Sequence, residues 1–144
     1  MKDIVEKIKK IDKLYHAKGG STSQLKEAQI ELGVDFPDEF IDYVKEYGAI
    51  SFYGTEWTGL NVDGYLNVVD VTKKERELNS AFPTDCFVLE NQAIDGLVTA
   101  VDQNGKVFSV QYDKKTPLCN SISEYLDICI ARNKNFYKAD ILSI

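Results

Sequence analysis

The chain has 144 residues, 44% apolar and 28% charged, with a formal net charge of −6. That length is ample for one hydrophobic core, so the expected organisation is a single domain over residues 1–144. The negative balance argues against nucleic acid or an anionic membrane as partner, because both demand a positive footprint.

No apolar run approaches the roughly 18 residues that cross a bilayer. The opening MKDIVEKIKKIDKLYHAK spreads lysines through its length and has no apolar stretch behind them, unlike a signal peptide. Three cysteines, odd in number and far apart, fit a reducing interior, so a cytoplasmic location is expected. Charge is unevenly placed: residues 1–20 carry six lysines against three acids, whereas residues 21–70 carry two lysines against ten acids. A charge run is commonly just a solvated face, but an acidic block of this size also suits a basic partner.

In chain order, Ile4, Ile8, Ile11 and Tyr15 fall on one stripe and predict a helix over about residues 2–16. Gly19-Gly20 breaks it. Ser21 and Gln24 have capping-box spacing, and Leu25, Ala28 and Leu32 form the inner stripe of a second helix that stops at Gly33. Pro37 suits the first turn of a third helix, with Phe40, Val44 and Tyr47 inward and Gly48 as its stop.

After Gly48 the period changes to two. ISFY (50–53), EWTGLNV and YLNVVDV predict short strands, TKKERELNSAF (72–82) a surface helix or long loop, and CFVLEN (86–91) a strand. Asn104-Gly105 predicts a two-residue hairpin in which Asp102 faces Val107, Val101 faces Phe108, Thr99 faces Val110 and Leu97 faces Tyr112. That register gives one apolar face and a wetter one holding Asp102, Ala100, Ser109 and Gln111. Ser121 and Glu124 start a last helix with Ile122, Leu126 and Cys129 inward. The expected class is α+β: a mostly antiparallel sheet flanked by N-terminal helices and a C-terminal helix.

Residues that carry chemistry are sparse. His16 is the one histidine, expected at a helix C-terminus near the dipole rather than in a triad or metal site. Cys86 and Cys129 fall on core-facing positions, and Cys119 is expected in a loop after Pro117, a candidate free thiol with no base nearby in sequence. No glycine-rich phosphate loop or calcium loop is present. The pairs Asp38/Asp42 and Asp42/Glu46 are expected on the outer face of the third helix. No catalytic, cofactor or metal site is expected; an enzymatic reading would need a desolvated carboxylate pair near a tyrosine or His16.

What remains is a surface. Asp38, Asp42 and Glu46 lie opposite the apolar stripe, followed by Glu56 and Asp63, with Tyr53, Trp57 and Tyr65 as candidate aromatic anchors. Trp57 stands evenly between this role and a place in the core.

The stretch Phe36-Pro37-Asp38-Glu39-Phe40, Val44, Tyr47-Gly48, Phe52-Tyr53-Gly54 and Trp57 resembles the SUKH superfamily, named for its yeast cell-wall regulator members. The lead-in LKEAQIELGVDFPDEF and the closing SISEYLDICI, with Ile122 in place of a phenylalanine, extend the likeness over nearly the whole chain. It departs at Tyr47, where the family generally has Asn before the glycine. Size and arrangement resemble the short YobK-like immunity proteins in particular. The resemblance implies an α+β fold, no shared catalytic residues, and a cytoplasmic protein that neutralises a cognate toxin of nuclease type, LXG-like. The alternative it implies is a non-catalytic regulatory or scaffolding module. Neither oligomeric state nor the toxin's reaction is legible.

Overall fold

A computed structural model describes the backbone of residues 3–142 and the side chains of residues 3–132. The fold is α+β. Helix α1 (Asp3–Lys9) leads to β1 (Tyr15–His16), then α2 (Thr22–Leu32), α3 (Asp38–Tyr47), β2 (Ile50–Phe52) and β3 (Thr55–Trp57). A 3-10 turn (Gly64–Leu66) precedes α4 (Val68–Leu78), after which β4 (Cys86–Ile94), β5 (Leu97–Asp102), β6 (Val107–Gln111) and β7 (Lys114–Cys119) follow in series before α5 (Ile122–Leu142). The strands form two antiparallel sheets, β1-β2-β3 and β4-β5-β6-β7. Thr58 stitches them together: its N–H donates to Leu89 O (2.8 Å) and its hydroxyl to Val88 O (2.8 Å).

The helices with strong local signals form as their sequences dictate. Ser21 and Gln24 close a reciprocal capping box on α2, and Leu25, Ala28 and Leu32 are buried. Pro37 opens α3 and Gly48 ends it at φ 73°, with Phe40, Val44 and Tyr47 inward and Tyr43 buried beside them. At α5, Ser121 Oγ accepts from Glu124 N (3.1 Å), and Ile122, Leu126 and Cys129 are buried.

Three expectations need correction. The first helix ends at Lys9 rather than near residue 16: i→i−3 bonds from Lys10 and Ile11 tighten its end, Lys13 turns at φ 56°, and Tyr15 pairs with Ser51 as a strand. Ile4 and Ile8 carry the burial that four residues of stripe were expected to share, and Tyr15 is 74% exposed. YLNVVDV is not a strand but a 3-10 turn and the start of α4. Asn67 caps it by accepting from Val69 N (3.0 Å) and Asp70 N (3.1 Å), and Val68, Val71 and Thr72 bury one helical face, so packing overrides the β-branched run.

The hairpin register is the third. Asp102 Oδ1 accepts from Asn104 N (2.9 Å) and Lys106 N (3.0 Å), and Asp102 N donates to Lys106 O, closing a three-residue loop with Gly105 at φ 86°. Val101 therefore faces Val107 and Thr99 faces Ser109, one residue off the two-residue-turn pairing. The slip moves Ala100, Phe108 and Val110 onto one face, where Ala100 packs with Cys86, Val88, Val98 and Val71 in a second core; no wet face remains there. Phe87, Leu89, Val101 and Val107 point the other way, into the main core beneath α1, α2, α3 and α5. The outer edge, β7, carries Lys114, Lys115 and Pro117, a sequence that discourages further strand pairing.

Candidate functional site

The acidic residues of α3 lie where the amphipathic pattern directs them, with Asp38 and Glu46 exposed and Asp42 half-buried. Glu6 of α1 joins them: burial first, then the charges of Glu46 and Glu6, hold the Tyr47 phenol above its ordinary value. Glu39, between Asp38 and Phe40, has a different duty. Its Oε1 accepts from Ile122 N (2.9 Å) and Ser123 N (3.4 Å), so a carboxylate of α3 caps the N-terminus of α5.

A second group gathers around the 3-10 turn. Tyr65 is 64% exposed, and its hydroxyl donates to Glu56 Oε2 (3.3 Å). The Glu56 charge, more than any desolvation, raises the Tyr65 phenol, as expected of an acid and a ring side by side in water. Asp63, exposed, immediately precedes this turn. Glu56, Asp63 and Tyr65 thus share one patch.

Two predicted anchors lie elsewhere. Tyr53 occupies the β2–β3 turn at φ 46°, half-buried, and lines a cleft with Lys7, Lys10, Asp12 and Asp127, away from the acids of α3. Trp57 is wholly buried. Its ring meets Tyr43 edge-on (5.5 Å, 89°) and stacks on Tyr125 (6.0 Å, 15°), so it offers no surface to a partner. His16 stands on the edge strand with its ring edge-on to Tyr47 (5.5 Å), not at a helix terminus. Cys119 lies in β7 rather than in a loop and is half-buried, its Sγ 3.5 Å from Ser121 O.

The arrangement has exposed acids, an exposed tyrosine and no group of three His, Cys, Asp or Glu placed to share a metal ion among the described residues. No helix among them is long and apolar enough to cross a membrane. A family model described as SMI1-KNR4 cell-wall, SUKH_5, matches residues 1–131. The chain belongs to the SUKH family. No curated protein matched the sequence.

Within this SUKH fold one ionisable cluster escaped sequence reasoning. Glu90 of β4 is 4% exposed, and its Oε1 accepts from the Tyr125 hydroxyl (2.5 Å) while Oε2 lies 3.4 Å from Arg132 Nη2. Tyr125 also meets Thr99 Oγ1 (2.9 Å), to which Gln92 Nε2 donates (2.9 Å). Three side chains from β4 and β5, Glu90, Gln92 and Thr99, are thereby tied to α5. Burial pushes the thiols of Cys86 and Cys129 up to about 12, so neither is a nucleophile near neutrality. No local motif signals such a network, because Glu90 and Tyr125 are 35 positions apart.

Burial raises the Glu90 carboxyl despite Tyr125 and Arg132 pulling it down. A folded pKa above the unfolded value of about 4.3 means the folded state binds the proton more tightly. Glu90's contribution to stability is therefore full below that value and lost as pH rises through the folded pKa. Thermal melts from acid to neutral pH should show this decline in the wild type and its absence in Glu90→Gln. Identical slopes in the two proteins would contradict the assignment.

Proposed function

We propose that this SUKH protein is an immunity protein that binds and neutralises a basic, nuclease-type toxin through an acidic, tyrosine-edged surface. The observation that carries the reading is the patch of half-buried Glu56 with exposed Asp63 and Tyr65, set in a segment with ten acids and two lysines between residues 21 and 70. A nuclease holds phosphates with cationic side chains, so an acidic face matches its groove and accelerates encounter. Asp38, Asp42 and Glu46 on α3 extend the negative surface available to such a partner.

A second reading, a regulatory module that binds a protein of its own host, is favoured by the cell-wall description of the matching family. One experiment separates them. Co-expression with the product of the adjacent gene should restore growth and yield a co-purifying complex if the protein confers immunity. Protection absent and no complex, together with a stable host complex in cells lacking that gene, would favour the second reading.

A further inference from the structure

Beside the Glu56–Tyr65 pair, an open cleft of about 280 Å³ runs between the 3-10 turn and α4. Nearly buried Val71 lines it, and its walls are Tyr65 and Leu78, 64% and 73% exposed. Such large apolar side chains standing in solvent on either side of a depression mark a contact surface when a polar rim surrounds them.

The rim is acidic. Asp70 and Glu75 line the cleft against a single lysine in the lining, Lys74, while Glu56 and Asp63 stand at its Tyr65 end. The walls are also preformed. Tyr65 is held by Glu56, the turn by Gly59 N donating to Leu66 O (2.9 Å), and α4 by its Asn67 cap. At the far end, Asn79, next to Leu78, is held by Nδ2 donating to Tyr112 O (2.8 Å).

We propose that this cleft anchors the partner by taking one apolar side chain, leucine-, methionine- or phenylalanine-like, carried on a basic segment of a protein. Lysines or arginines flanking that side chain meet Asp70 and Glu75 on one side and Glu56 and Asp63 on the other. The volume suits one side chain, being below the range of about 300–1,000 Å³ that holds drug-sized ligands. A second copy of this chain is the wrong occupant, because a two-fold contact over this cleft would set one acidic rim against another. This inference rests on the reading that the acidic surface binds a basic protein, and it names the seat of that contact.

The test is an amide chemical-shift titration of the whole chain with two peptides: a leucine flanked by lysines and arginines, and its counterpart with glutamates for the basic residues. The basic peptide should give saturable shifts at Tyr65, Val71 and Leu78, weaker at high salt, and the acidic one none. Leu78→Ser, at an exposed position that leaves the core intact, should weaken binding about tenfold or more. Shifts confined to α3, equal response to both peptides, no saturable response, or self-association that moves the same amides would each overturn the proposal. Failure of protection in co-expression with the shifts still mapping to the cleft removes the immunity reading and keeps the cleft. Protection undiminished, with toxin binding unchanged in Tyr65→Ala/Leu78→Ser, does the reverse.

Discussion

Gly59→Ala is expected to cost about 4 kcal/mol or more, a large part of the 5–15 kcal/mol that holds an ordinary domain folded. A methyl group there would overlap the carbonyl oxygen of Gly48 and crowd the Cα of Ala49, and none of those atoms belongs to a side chain that can swing away. The crowding arises because three backbone segments are layered at this point. Leu60 N donates to Gly48 O (3.0 Å), Gly59 N to Leu66 O (2.9 Å) and Val68 N to Gly59 O (2.9 Å), so the end of α3, the loop after β3 and the start of α4 are hydrogen-bonded through Gly59 and its neighbour Leu60. Gly54→Ala is the control. Gly54 has φ 81° but nothing within 4 Å of an added Cβ, so only the conformational cost of about 1–2 kcal/mol applies. Chemical denaturation of the two variants checks the ranking, and equal losses would show that backbone conformation alone sets the cost.

Trp57→Ala should lose about 3–5 kcal/mol, the range for emptying a large aromatic site in a packed core. Tyr43 and Tyr125 would both lose their ring partner. The loss would reach the backbone as well, since the Tyr43 hydroxyl donates to Thr58 O (2.9 Å), beside the bonds that join the two sheets. Trp57→Phe should cost much less. The indole N–H is buried with no regular hydrogen-bond partner, so removing it sacrifices no strong bond, and a phenyl ring keeps most of the stacking on Tyr125. Because Trp57 is wholly buried, Trp57→Phe should also leave partner affinity unchanged. A folded Trp57→Phe protein that binds its partner tenfold more weakly would return Trp57 to the interface.

These two positions show what the sequence discloses and what it withholds. Helices α2 and α3 were legible because their signals are local: Ser21 and Gln24 three residues apart, Pro37 at one end and Gly48 at the other. The acids opposite the Phe40–Val44–Tyr47 stripe were legible for the same reason, and the SUKH likeness rested on that segment. The start of helix α4 was not, because Val68, Val69, Val71 and Thr72 favour a strand by composition, and the capping by Asn67 that decides the matter looks like any turn residue. The hairpin register turned on one side chain, since Asp102 accepting two loop amides selects a three-residue loop over the two-residue turn that Asn-Gly favours.

Trp57, Glu39 and Glu90 share a different obstacle. Each takes its role from a residue far along the chain: Tyr125 for the indole, Ile122 for Glu39 and Tyr125 again for Glu90. Pattern within a window cannot disclose such partners. The result redistributes the predicted surface. Trp57 leaves it for the core and Tyr53 faces Lys7 and Lys10, while Glu56, Asp63 and Tyr65 remain together beside a cleft whose far wall, Leu78, sits in a stretch that read as a surface helix or long loop.

The central claim is that negative charge on this surface captures a basic toxin, and the most direct measurement is the association rate of the co-expressed complex as ionic strength is raised. Wild-type protein should associate quickly at low salt and slow steeply as salt screens the charges over a Debye length of about 10 Å at 0.1 M. Charge reversal at Glu56 and Asp63, or at Asp42 and Glu46, should lower the low-salt rate about tenfold and flatten its salt dependence. Association that is as fast and as salt-sensitive in both reversed proteins as in the wild type would contradict the account.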